Sequence, residues 1–409
     1  MKTHKLLFVT LLGTVCISCG HPSHKTGSEK EALGKLLFHD TSLSEPPGQS
    51  CATCHASSKG FADEQARAIS EGAVQGLFSQ RNSMSVCYAV FVPELHYDDD
   101  DENYVGGLFW DGRSPSLQDQ AGIPLLNPVE MGNRDKQMVA EKVKRTPHYN
   151  GKLQIYGDTE HAQSFFAHVT DALAAYQASR EINPFTSKYD AYKKGNYQLT
   201  EQEARGKELF KDKGQCAECH VLDRDKRAHR TLFTDHTYDN LGIPKLPDHP
   251  HYKVAAEYFL LTADSVDLGL GAIVNAESEN GKFRVPTLRN VELTAPYGHN
   301  GYFKTLEEIV HFYNVRDVSD EFPPAEYPAT VNKEELGNLG LTQEEEADIV
   351  AFMKTLTDGY IKDHKSDKRE KHEERPRYLL EGEAASGIIV SIILYRCILL
   401  IAPWIKLPY

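Results

Sequence analysis

Cys51-Ala52-Thr53-Cys54-His55 and Cys216-Ala217-Glu218-Cys219-His220 are two copies of one pentapeptide, and their reading decides the fold. Cys-x-x-Cys-His is the attachment motif of a c-type haem. Its two thiols add to the vinyl groups on one edge of the porphyrin, and the histidine that follows reaches the iron from one face. A structural zinc site would use the four cysteines together, and a dithiol redox pair would open a helix after a strand. Neither accounts for a histidine directly after both pairs. The spacing therefore predicts two covalently bound haem c groups. Cys51, Cys54, Cys216 and Cys219 are the attachment residues, and His55 and His220 the iron ligands.

Ahead of each motif stands nearly the same segment, Glu31-Ala32-Leu33-Gly34-Lys35-Leu36-Leu37-Phe38 and Glu203-Ala204-Arg205-Gly206-Lys207-Glu208-Leu209-Phe210. Ser28 with Glu31, and Thr200 with Glu203, read as capping boxes that open the two helices. Leu33, Leu36 and Leu37 in one copy, and Leu209 and Phe210 in the other, supply an apolar face. Each module should close with a second helix: residues 165–180, with Phe166, Val169, Leu173 and Tyr176 at helical spacing, and residues 342–356, opened by Thr342 and Glu345. A small cytochrome c fold packs its first and last helices across each other over the haem. No long alternating strand pattern is visible. The fold class is mainly α, with two cytochrome c-like haem domains and long loops. The polar stretch 183–198, with Pro184 and Gly195, reads as the linker between them.

At 409 residues and a net charge of −14, the chain has room for two cores and is ill suited to nucleic acid or an anionic membrane as its main partner. Residues 1–18 read as a signal peptide: Lys2 and Lys5 precede an apolar run, Leu6 to Ile17, too short for a mature span. The run ends in Ile17-Ser18-Cys19-Gly20, a lipoprotein-type cleavage site that would leave Cys19 as a lipid anchor in the periplasm, followed by a tether over 19–27. The first haem domain then covers 28–190 and the second 191–360. Residues 361–409 form a charged, then apolar tail outside both, with Gly387 to Ile405 long enough for a span but broken by Arg396. Cys87 reads as a buried apolar thiol. The acidic run 98–102 reads as a solvated loop.

Three further stretches make the pattern specific: Cys51 to Asp63 (CATCHASSKGFAD), Leu108 to Gly132 (LFWDGRSPSLQDQAGIPLLNPVEMG) and Val285 to Tyr313 (VPTLRNVELTAPYGHNGYFKTLEEIVHFY). With the two haem motifs, these resemble the bacterial dihaem cytochrome c peroxidase and MauG family over roughly residues 28–360. The resemblance implies that the first haem, on His55, is the one open to peroxide and that the second, on His220, relays electrons to it. It implies that Glu130 is the distal acid–base group, with Gln120 as its companion amide and Trp110 as the aromatic between the haems. It also implies a calcium ion held by Asn82, Thr294 and Pro296. Arg289 is a candidate for a haem propionate, the alternative being an ordinary carboxylate partner.

Two departures from the commoner peroxidase pattern carry expectations of their own. The loop Ile69-Ser70-Glu71-Gly72-Ala73-Val74-Gln75-Gly76-Leu77 has no histidine to ligate the resting iron, which predicts a first haem that is five-coordinate or water-bound. The sixth ligand of the second haem falls on Tyr313 instead of a methionine, with His311 and His299 as rivals; a hard phenolate lowers the reduction potential relative to a thioether. The implied function is a peroxidase that reduces hydrogen peroxide to water with electrons from a small cytochrome c or copper protein. The alternatives are a MauG-like enzyme that oxidises residues of a partner protein and a plain electron carrier. Monomer and homodimer both remain open.

Overall fold

The computed structural model describes residues 23–360 apart from 101, 150, 158–160, 254–257, 259–261 and 263. The expected signal peptide, Cys19 and the tail 361–409 lie outside the described residues. Among the described residues ten helices run in chain order: α1 (Ser23–Phe38), α2 (Cys51–Cys54), α3 (Leu117–Leu126), α4 (Lys136–Arg145), α5 (Ala162–Gln177), α6 (Lys188–Lys193), α7 (Glu201–Lys211), α8 (Leu270–Val274), α9 (Leu306–Val315) and α10 (Gln343–Lys354). Strand among the described residues is confined to two short antiparallel pairs, β1 (His96–Asp98) with β2 (Asn103–Val105) and β3 (Tyr238–Asp239) with β4 (Phe283–Arg284). The mainly α class with long loops is what the sequence predicts. No helix among the described residues is long and apolar enough to cross a membrane.

The duplication is visible as two helix crossings, α1 on α5 and α7 on α10. Both are centred on the glycine of the repeated segment. A Cβ at Gly34 would sit 1.8 Å from the Ala172 carbonyl oxygen, and one at Gly206 would sit 1.8 Å from that of Asp348. The backbones touch, so no side chain fits at either crossing. Around the first, Leu33, Leu37, Phe38, Val169, Leu173 and Tyr176 form the core; around the second, Phe210, Ile349, Phe352 and Leu356 do so.

Two expectations need correction. Helix α1 begins at Ser23, so Ser28 lies inside it and opens no capping box, and part of the expected tether is helical. Thr200 and Thr342 do cap α7 and α10, each with its glutamate three residues on. Leu36 is 41 % exposed. Two residues from Gly34 along a helix is about 200° round it, so the side chain faces away from the crossing. The stretch 183–198, read as the linker, joins α5 to α7 and is packed against its surroundings. Asn183 caps the end of α5 through its amide, which donates to the Gln177 and Ser179 carbonyls at 2.8 Å each. Ser187 and Asp190 box the start of α6, and Tyr189 packs into the second core. Its polarity is spent on caps and on an ion pair between Asp190 and Arg289.

Candidate functional site

Each Cys-x-x-Cys-His lines its own cavity. Cys51, Cys54 and His55 open onto one of about 190 Å³, and Cys216, Cys219 and His220 onto one of about 220 Å³. The four cysteines are thus divided between two sites, which excludes a single four-thiolate zinc centre. Burial pushes the Cys51, Cys54 and Cys216 thiols up to about 12, and Cys219 further still. A thiol raised in this way is not the reactive thiolate of a redox dithiol.

The two histidines are held in the same way. His55 Nδ1 pairs with the Phe61 carbonyl at 3.2 Å and His220 Nδ1 with the Phe233 carbonyl at 2.9 Å. Both phenylalanines adopt a left-handed backbone, with φ of 60° and 56°, which turns the carbonyl toward the ring. A carbonyl on Nδ1 fixes the tautomer that offers Nε2 to iron. Burial holds both imidazoles below their ordinary range, His220 at about 4, so each is the neutral base a metal requires. Neutral histidine ligands, paired cysteines and an apolar enclosure fit a haem c at each site.

Beyond those shared features the cavities differ. Gln120 from α3 and Glu130 from the loop after it line the first, beside Gln49 and Arg113. Glu130 is half-buried, and its Oε2, itself shielded from solvent, has no hydrogen-bond partner among the described residues. Burial raises its pKa, against a smaller downward pull from Arg113 and Asn127. The loop 69–77 packs against this acid: Ala73 N donates to the Glu130 carbonyl at 2.7 Å, and a Cβ on Gly72 would lie 2.3 Å from the Val129 oxygen. The segment that lacks a histidine therefore stands beside the acid.

The second cavity is lined by Tyr313 from α9, with Arg289, Asn82, Thr294 and Pro296, and by His299 and Met353. The Tyr313 hydroxyl makes no hydrogen bond to a described residue, and burial among the cysteines raises its pKa. His311 is no rival: it does not line the cavity, and its Nδ1 and Nε2 are engaged by Glu346 at 2.9 Å and Glu321 at 3.2 Å. His299 does line it, stacked on Phe283 with ring centroids 3.7 Å apart. Arg289 is fully buried and grips Asp190 with two contacts of 2.9 Å, while its Nε donates to the Thr231 carbonyl at 2.7 Å. Its guanidinium thus has the carboxylate partner that the sequence left as the alternative to a propionate. Asn82 is tied in from both sides, its amide donating to the Ala68 carbonyl at 3.0 Å and its N–H to His299 O at 2.8 Å.

Trp110 lines both cavities. Its indole N–H donates to the Asn82 carbonyl at 2.9 Å, and its own carbonyl accepts from Arg284 N at 2.8 Å. The residue expected between the haems stands where the two cavities meet. Sequence reasoning passed over Gln49, Arg113, His236 and Arg284. Gln49 stands two residues ahead of its motif, whereas Gln215 directly precedes the other, so the repeat gave no signal for it.

A family model of the di-haem cytochrome c peroxidase matches residues 28–198, and one of cytochrome c matches 203–357. The methylamine utilization protein MauG of Paracoccus denitrificans is 36 % identical over 348 residues, 80 % of this chain and 88 % of that one. The cytochrome c peroxidase Ccp of Escherichia coli is 31 % identical over 82 % of this chain and 59 % of its own length. Among solved structures, the diheme peroxidase BthA of Burkholderia thailandensis superposes with a TM-score of 0.71 at 32 % identity, covering 81 % of this chain and 87 % of that one. A MauG-like protein associated with microbial copper homeostasis superposes with a TM-score of 0.62 at 30 % identity, covering 81 % and 90 %.

Proposed function

Since the chain belongs to the dihaem cytochrome c peroxidase and MauG family, as a peroxidase-type oxidoreductase with two haem c groups, we propose that it reduces hydrogen peroxide to water at the first cavity. Electrons come from a small cytochrome c or copper protein through the second. The observation that carries this reading is Glu130: a protonatable carboxyl with a solvent-shielded oxygen unpartnered among the described residues, in a cavity whose adjoining loop has no histidine. Haem supplies redox-active iron to both sites when bound.

The residues divide the remaining work. Glu130 takes a proton from the incoming peroxide and returns it to the departing oxygen, which a carboxyl with a raised pKa does well near neutrality. Gln120 orients the substrate by hydrogen bonding, and the enclosing apolar wall keeps bulk water from competing. Trp110, an aromatic that lines both cavities, would carry electrons between them. Tyr313 would supply a second protein ligand to the iron of the second haem, and Asn82, Thr294 and Pro296 would hold a calcium ion. Export to the periplasm, with Cys19 as lipid anchor, completes the proposal.

Tyr313 favours a second reading. A phenolate would stabilise the oxidised state, as suits a MauG-like enzyme that stores oxidising equivalents and oxidises a partner protein. Steady-state peroxide consumption with reduced cytochrome c distinguishes the two. The proposal expects turnover that falls by roughly 10²–10⁴ in Glu130→Ala at unchanged haem content. Negligible wild-type turnover, with a long-lived oxidised state after peroxide, would replace it with the second reading.

A further inference from the structure

Buried arginines at the junction have carboxylate partners, with one exception. Arg81 is clasped by Asp267 at 2.7 Å and Asp111 at 2.6 Å, and Arg289 by Asp190. Arg284 lines both cavities at 6 % exposure, yet no carboxylate of the described residues lies within ion-pair distance. Its Nε donates to the Phe109 carbonyl at 3.3 Å, and Nη2 meets only the Met84 sulfur at 3.9 Å. Close by, His236 is also 6 % exposed and lines the second cavity, and neither of its ring nitrogens has a hydrogen-bond partner.

A desolvated guanidinium and a desolvated imidazole with spare N–H groups are costly unless an anion meets them. Their backbones are rigid. Arg284 sits in β4, paired with Tyr238 of β3 and bonded to the Trp110 carbonyl, while the His236 carbonyl accepts from Gly106 N at 2.9 Å. The site is therefore built and waits for a carboxylate.

We propose that Arg284 and His236 form a clamp for a propionate of the haem in the second cavity. Haem c is fastened by its vinyl edge, so its two carboxylates lie on the opposite edge and are its only anionic groups. His236 lines the second cavity and not the first, which assigns the clamp to the second haem. Planar guanidinium and carboxylate pair through two charge-assisted hydrogen bonds. The clamp also fixes Trp110, whose carbonyl is bonded to the same arginine's N–H. It rests on the haem assignment of that cavity.

Resonance Raman of the holoprotein tests it through the propionate-bending bands of the second haem. These bands shift in Arg284→Met and return toward wild type in Arg284→Lys. Arg284→Met also leaves a carboxylate without its cation, which disfavours the ferrous state by about tenfold and lowers that haem's midpoint potential by ~59 mV. Unchanged bands and potential with two haems bound would overturn the clamp, as would shifts confined to the first haem. A chain that binds a single haem would overturn the cavity assignment and the clamp with it. Should Arg284→Met fail to yield holoprotein, His236→Phe shifts the same bands, and their constancy would refute the proposal.

Discussion

At the scale of single residues, the proposed chemistry rests on Glu130, whose environment is one-sided: burial raises its pKa, and Arg113 only partly opposes this. In the proposed reaction the acid acts on peroxide from one protonation state, so the folded protein's pKa should appear in the pH profile of kcat/KM. Glu130→Gln should abolish that limb, and a profile that Glu130→Gln leaves unchanged would remove the residue from the reaction. The same shift links to stability. A carboxyl whose folded pKa is raised contributes fully below the unfolded value, and its contribution is lost as pH rises through the folded one. Glu130→Gln should accordingly flatten the decline of thermal stability above the ordinary carboxylate range. The haem-attachment residues were legible because five positions are fixed by covalent geometry. Arg284 and His236 were not, because their meaning lies in which partners they lack, and sequence does not show an absent carboxylate.

Among the elements, the two glycine crossings impose the tightest constraint. A methyl at Gly34 or Gly206 would collide with backbone, which cannot turn aside as a side chain can. Gly34→Ala and Gly206→Ala should each cost at least about 1–3 kcal/mol, the usual penalty of overpacking. Thermal unfolding followed at each haem's absorption reads this, and an unaltered midpoint in both variants would contradict the crossing geometry. Here the sequence was partly legible. The repeated glycine marks both helices, and the Thr200 and Thr342 boxes fix two helix starts. Ser28 misled because a capping box is a local signal, and α1 continues through it from Ser23. The packing of 183–198 was not legible because polar residues that cap helices and pair ions look in sequence like polar residues in water.

For the whole molecule, duplication supplies two similar haem sites, and the residues between them make the sites unequal. Trp110 and Arg284 line both cavities, Glu130 and Gln120 only the first, and Tyr313 and His236 only the second. The central claim is this division, with an open iron at His55 and a closed one at His220. Electron paramagnetic resonance of the fully oxidised protein as isolated tests it most directly. The account predicts one high-spin ferric haem, five-coordinate or water-bound, and one low-spin ferric haem whose signal changes in Tyr313→Phe. Two low-spin haems, each with two protein ligands, would contradict it.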